Sequence, residues 1–199
     1  MARITVRDLT RKDWPVVETL FGKQGACGGC WCMHWRVPIG GKHWEEIKGA
    51  KNKRAFKQLV TGSEVHGCLA FAGDEAVGWV TLGPREDFVR MERSRVLPKE
   101  WEAGTWCVPC FYVPKAFEGQ GIGVRLLKAA ADYARRKKAR RLEGYPIVPP
   151  QVGRYPSAFS HTGVPAMFAR AGFRDVTPRG AQRPVWRRDF RRSIGKRRP

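Results

Sequence analysis

Between an apolar, aromatic run ending Cys107-Val-Pro-Cys110-Phe-Tyr-Val113 and an amphipathic segment beginning near Val124, the chain carries Glu118-Gly-Gln-Gly121-Ile-Gly123. A strand that turns through three glycines directly into a helix is a phosphate-binding device. Glycines remove side chains so that successive backbone N–H groups can face an anion, and the following helix adds its positive N-terminal end. Two common nucleotide motifs fit poorly. A Rossmann fingerprint needs glycines at 119, 121 and 124, and Val124 holds the last position, although Glu143 is a passable ribose acid. A P-loop needs Gly-Lys followed by Ser or Thr, and the chain has none.

The segment resembles the acyl-CoA pyrophosphate loop of the GNAT acetyltransferase superfamily, Gln/Arg-x-x-Gly-x-Gly/Ala set between a strand and a helix. Glu118 departs from the Gln or Arg of that pattern, so the match rests on the backbone cradle. Upstream, Tyr112-Val113 stand where such strands end. Downstream, Phe168-Ala-Arg-Ala-Gly172-Phe173 is similar to the Tyr-x-x-x-Gly-Phe signature of these domains. The resemblance implies an α/β fold with a central mixed, mostly antiparallel sheet flanked by helices and splayed at the acyl-CoA site. It implies an N-acyltransferase that moves acetyl from acetyl-CoA to a primary amine by direct transfer in a ternary complex. Backbone groups of Phe111 and Val113 would hold the pantetheine arm. The N–H groups of Gly119, Gln120, Gly121, Ile122, Gly123 and Val124 would hold the pyrophosphate, with Gly121 and Gly123 the sharpest expectations.

At 199 residues with 42% hydrophobic content, the chain suffices for one compact domain, expected over residues 1–190 and followed by a basic tail over 191–199. No apolar run approaches the roughly 20 residues of a membrane span. The start, MARITVRDL, alternates like a strand instead of resembling a secretory signal, so a soluble, cytoplasmic protein is expected, as monomer or homodimer. The net charge is +20, from 38 Lys and Arg against 18 Asp and Glu, which favours anionic partners such as coenzyme A. Much of the excess lies in two blocks. Arg135, Arg136, Lys137, Lys138, Arg140 and Arg141 suit a solvated helix end. Arg187, Arg188, Arg191, Arg192, Lys196, Arg197 and Arg198 suit a flexible tail or a contact with nucleic acid or an acidic surface, the less favoured alternative.

The periodicity gives alternating elements. A first strand holds Ile4 and Val6, and a helix over residues 12–20 places Trp14, Val17 and Leu20 on one face. Helical spacing returns over residues 43–60, broken near Gly49. Strands over 66–72 and 75–82 join at Gly73-Asp74 as a hairpin, and a charged segment follows from Pro84. The strand over 105–113 feeds the glycine loop and its helix. A strand over 141–145, a Pro-rich connection, a short helix over 164–171 and strands near 173–176 and 184–190 complete the order.

The chemistry of acyl transfer to an amine asks for a proton acceptor and for an acid to protonate the departing thiolate. Several superfamily members use a strand glutamate and the tyrosine of Tyr-x-x-x-Gly-Phe. Here Phe168 stands at the tyrosine, and Cys107 or Cys110 stands where the carboxylate belongs. Tyr155 or Ser160 is then a candidate acid, His161 falls where related proteins often carry Asn, and Glu86 or Asp87 is a candidate acceptor. Glu86, Asp87 and Glu92 interleave with Arg85, Arg90, Arg93 and Arg95, which equally fits a surface ion-pair network. His161 equally fits a helix start. The missing pair keeps open a noncatalytic acyl-CoA sensor or a basic nucleic-acid-associated protein.

Cys27-Gly-Gly-Cys30-Trp-Cys32-Met-His34 invites zinc, but no second Cys-x-x-Cys lies at zinc-ribbon distance. Cys107 and Cys110 are three residues apart on a strand, which points them to opposite faces unless a bulge intervenes. Reduced structural or pocket thiols are therefore expected ahead of a metal or redox site, and no metal is expected. The same loop borders the expected acceptor pocket, where Trp31, Trp35 and Arg36 suit a planar or carboxylated amine, or equally core packing.

Overall fold

A computed structural model describes residues 3–38, 41–149 and 161–190. Its strands are β1 (Ile4–Asp8), β2 (His66–Ala72), β3 (Glu75–Pro84), β4 (Thr105–Tyr112), β5 (Arg141–Gly144), β6 (Arg174–Asp175) and β7 (Trp186–Asp189). Its helices are α1 (Trp14–Phe21), α2 (Gly41–Ile47), α3 (Ala50–Thr61), α4 (Val89–Glu92), α5 (Ile122–Arg136) and α6 (Pro165–Arg170). The strands form one sheet in the order β1-β2-β3-β4-β5-β7-β6. Every neighbouring pair is antiparallel except β4 with β5. The mixed, mostly antiparallel sheet flanked by helices is the architecture the sequence implied.

Each face of the sheet is covered by a helix with a matching apolar stripe. α5 buries Ile122, Leu126, Leu127, Ala130, Ala131 and Ala134, a 3.6-residue repeat with Arg and Lys on the far side. It lies close on β3 because Gly78 is bare there: a Cβ would stand 2.8 Å from Ile122 Cγ2 and 3.1 Å from Leu126 Cδ1. On the other face, Trp14, Val17 and Phe21 of α1 and Phe56 and Val60 of α3 pack on Leu69 and Trp79. A smaller cluster of Phe88, Met91, Leu97, Cys107, Tyr145 and Val185 fills the space under the segment between β3 and β4. Each fully buried Leu or Phe contributes about 1.5–3 kcal/mol, so α5 and α1 hold the sheet from both sides.

Local punctuation explains the boundaries. Gly73, at φ +61°, closes the β2–β3 hairpin between paired Ala72 and Glu75. Gly49, at φ +79°, separates α2 from α3. α1 starts at Trp14 instead of near Lys12 because Pro15 sits in its first turn, where a missing N–H costs nothing.

Two charged stretches differ from expectation. The segment after Pro84 is a 3-10 turn (Arg85–Asp87) running into α4, and Arg85 is not on the surface. Its guanidinium lies 4.6 Å from the Trp101 ring and 5.8 Å from that of Tyr145. Of the second basic block, Arg187 and Arg188 belong to β7, and Arg187 pairs with buried Glu143 at 2.8 Å. Residues 191–199 lie outside the described residues. The first block ends α5 as expected, with Arg136 bonded to Asp8 at 2.7 Å. Among the described residues no helix is long and apolar enough to cross a membrane.

Candidate active site

β4 and β5 pair in parallel from Thr105 with Arg141 to Val108 with Gly144, and there the ladder stops. The next residue is Pro109, which has no N–H to continue it. β4 nevertheless runs on, held from its other side by β3 through Thr81 with Cys110, Val80 with Phe111 and Trp79 with Tyr112. The sheet is therefore splayed, and among the described residues no strand pairs with the open edge of residues 109–112. One group on that edge is already used: Phe111 N–H donates to the carbonyl of His161 at 2.6 Å.

Directly after β4, a 3-10 turn (Lys115–Phe117) leads into the glycine loop. Gly119 and Gly121 adopt φ +76° and +74°, and Gly121 is the N-cap of α5. A Cβ at either glycine would meet nothing within 4 Å, so both border open space. No side chain caps α5 and its first turn carries no acid, which leaves its first N–H groups and positive end available to an anion. Gly123 has a packing role besides the one expected of it. A Cβ there would lie 2.6 Å from Met167 Sδ, so its bareness admits α6. Val124 and buried Ile122 belong to the helix, while Gly119 and Gln120 are exposed.

Phe168 is completely buried, edge-on to Phe111 at 6.3 Å and to Phe173 at 5.3 Å. It also explains Gly144, where a Cβ would stand 2.3 Å from Phe168 Cζ. The residue at the tyrosine position of the signature thus packs the base of the splay and carries no proton.

The opposite wall comes from the loop after α1 and the turn after β3. Arg90 joins them: its Nη1 is 3.1 Å from both the His34 carbonyl and His34 Nδ1, and its N–H donates to the Trp35 carbonyl at 3.2 Å. Arginine only donates, so His34 Nδ1 accepts and the ring proton sits on Nε2. Burial, then Arg90 and His161, pull the His34 pKa down to about 4, so the ring is neutral at pH 7. Around it stand Trp35 at 5.1 Å, Trp44 at 5.3 Å and His161 at 6.1 Å. Arg36 lies over Phe88 at 4.6 Å with Asp87 Oδ2 3.8 Å from its Nη1.

The structure thus brings His161, Trp35 and Arg36 to one wall. Trp31 is placed apart from that wall, on the α1 side of the sheet. It is buried between Trp14 and Phe21, each at 5.8 Å, because Cys32 and Trp31 turn inward at positive φ. Glu86 is exposed and accepts from Trp101 Nε1 at 3.4 Å. Tyr155 and Ser160 lie outside the described residues. All six cysteines are free thiols. Cys107 packs with Phe88 and Met91 while Cys110 packs on the α1 side, the opposite faces that their spacing implied. Burial pushes the Cys30 and Cys68 thiols up to about 12, and both Cys107 and Cys110 are raised, Cys110 through its hydrogen bond with Cys32 as well as burial. Such thiols are inert as nucleophiles. Among the described residues no group of three His, Cys, Asp or Glu is placed to hold a metal.

The model of the Acetyltransferase (GNAT) family matches residues 32–147, more than half of the chain. The chain belongs to the GNAT acetyltransferase family. No curated protein matches it in sequence. Its fold is similar to that of an N-acetyltransferase from Staphylococcus aureus Mu50, at 12% identity and TM-score 0.54, over 94% of this chain and 99% of that one. It is also similar to PaiA N-acetyltransferase of Thermoplasma acidophilum in complex with coenzyme A, at 15% identity and TM-score 0.51, over 94% and 99% of the two chains. A third similar fold is YncA of Salmonella typhimurium with its cofactor acetyl-CoA, at 14% identity and TM-score 0.51, over 94% and 93%.

In this GNAT chain the residues that sequence reasoning missed are His34 as an organiser of the wall, Trp44 and Arg90. In the sequence His34 stands out only as a possible metal ligand. Its partner Arg90 is 56 residues away in a run of alternating charges, so no local pattern marks the pair. The aromatic density of residues 31–44 was the available signal.

Proposed function

We propose that this GNAT protein is an acyl-CoA-dependent N-acyltransferase that transfers acetyl from acetyl-CoA to a primary amine by direct attack in a ternary complex. The observation that carries this reading is the free edge of β4 beside the uncapped start of α5, with Gly119 and Gly121 open between them. A pantetheine arm adds to that edge as a short strand, through the Phe111 carbonyl and Val113, since the Phe111 N–H is taken by His161. The pyrophosphate lies against the N–H groups of Gly119, Gln120, Gly121, Ile122, Gly123 and Val124.

The thioester end of such an arm lies at the base of the splay, beside Phe111 and His161. Attack by a neutral amine forms the amide bond and releases thiolate, and protons must leave the amine and reach sulfur. His161 is the group on the described wall suited to a proton transfer there, with Tyr155 and Glu86 as further candidates. His34 does not fill that role, because its only acceptor nitrogen is held by Arg90. The weak acid–base set fits a reaction driven mainly by positioning.

A second reading, a noncatalytic acyl-CoA sensor or basic nucleic-acid-associated protein, draws on Phe168 and on the thiols at 107 and 110 in place of acid–base groups. Thiol release from acetyl-CoA with an amine panel separates the two. Amine-dependent release supports the transferase. Acetyl-CoA binding without release from any amine supports the sensor.

A further inference from the structure

Five nitrogens in the acceptor wall and the turn behind it are buried donors without a hydrogen-bond partner among the described residues. They are Trp35 Nε1, Arg36 Nε and Nη2, and Arg85 Nε and Nη1. Leaving buried charged donors unpaired is costly, and an acceptor brought in from outside would offset that cost. The two arginines differ in what they offer. Arg85 gives Nη2 to the Pro98 carbonyl at 3.3 Å and is held between Trp101 and Tyr145. Its two free nitrogens do not lie on one edge of the guanidinium, so they cannot grip one ligand together.

Arg36 has the opposite arrangement. Its side chain is 8% exposed, and its Nη1 faces Asp87 Oδ2 at 3.8 Å, beyond hydrogen-bond distance. The free Nε and Nη2 form the side-on fork that matches the two oxygens of a carboxylate. One face of the guanidinium is packed on the Phe88 ring, which fixes its plane. The neighbouring residue supplies a third free donor, Trp35 Nε1, and the Trp35 ring lies 6.5 Å from that of His161, which ties this anion site to the reacting end.

We propose that the acceptor is an amino-acid-like amine whose carboxylate docks on the Nε–Nη2 edge of Arg36. This rests on the acyl-transfer reading above. Asp87, 34% exposed on the other side of the guanidinium, gives the wall a negative charge beside the positive one, the pattern complementary to an amine and a carboxylate a few bonds apart.

The test titrates the coenzyme A-loaded protein with N-acetylglycine, N-acetyl-L-leucine and N-acetyl-L-phenylalanine, each against its C-terminal amide. At least one carboxylate is expected to bind 10-fold or more tighter than its amide. That preference should vanish in Arg36→Gln and shrink several-fold in Arg36→Lys, which keeps the charge but not the fork. Circular dichroism and coenzyme A affinity confirm that each variant is folded, and Arg36→Lys alone serves if Arg36→Gln is not. Equal binding of every carboxylate and amide, no binding by any of them, or a preference that survives Arg36→Gln overturns the proposal. Failure of the wild type to bind coenzyme A overturns the acyl-transfer reading instead. In that case the free protein titrated with glycine, leucine and phenylalanine against their amides decides the anion site by the same criteria.

Discussion

The Phe111 N–H, on the free edge of β4, donates to the His161 carbonyl at 2.6 Å. A main-chain bond thus ties residue 161 to the strand whatever its side chain, and that tie survives removal of the imidazole. His161→Ala is expected to keep its acetyl-CoA affinity and to lower kcat by about 10- to 100-fold, no more than the lower range for one general acid or base. Steady-state thiol release measures it. A variant that binds acetyl-CoA normally but shows no turnover would mean that one side chain carries the whole proton transfer.

Gly121 caps α5 at φ +74° with open space where a side chain would go. Gly121→Glu should cost about 1–2 kcal/mol of stability through backbone strain. Its carboxylate, set at the positive end of the helix, should abolish acetyl-CoA binding. Calorimetric titration at physiological salt, with an unrelated polyphosphate as control for the +20 charge, reads this out. Unchanged affinity would remove the loop from the donor site.

Restoring the signature tyrosine should fail. Phe168 is fully buried, with its Cζ aimed at bare Gly144. The Phe168→Tyr hydroxyl would press on β5, so a loss of about 1–3 kcal/mol and no gain in turnover are expected. Denaturant midpoints and the thiol assay decide it. A faster enzyme would show that the base of the splay can open.

His34 gives the fold an acid limit. Its pKa is held near 4 in the folded chain against an ordinary 6.5, mainly by burial and then by Arg90 and His161. Between those values the unfolded chain binds a proton that the folded one does not, so stability is lost as pH falls from about 6.5 toward 4. Urea midpoints at pH 7 and pH 5 should show the drop, and His34→Asn, whose amide oxygen can still accept from Arg90, should flatten it.

What the sequence disclosed and what it hid divide along the two halves of the site. The donor half is built from local backbone devices: Pro109 stopping a ladder, Gly119 and Gly121 at positive φ, a helix with a clean apolar stripe. The glycines and the apolar stripe leave their marks within a few residues, so the loop and its helix were legible, whereas the splay was implied only by the family resemblance and Pro109 took its meaning from the strand pairing. The proposed acceptor half is built from contacts across the chain, Arg90 to His34 and Arg36 to Phe88, and these leave no periodic trace. Trp31 and Trp35, four residues apart in one aromatic run, go to the core and to the wall respectively, a choice made by the positive-φ turn at Trp31 and Cys32. At Gly123 the motif hid a second demand for a bare residue, the close approach of Met167.

Arg90 clasps the loop after α1 through three contacts at once, to the main chain at His34 and Trp35 and to the His34 ring. Anyone grafting a new acceptor preference onto this scaffold therefore has two segments to transplant, not one. Residues 31–37 moved without 85–92 would arrive with no clamp, and the reverse would leave an arginine reaching for a histidine that is gone. The donor half, made of main chain, would pass unaltered from one chimaera to the next.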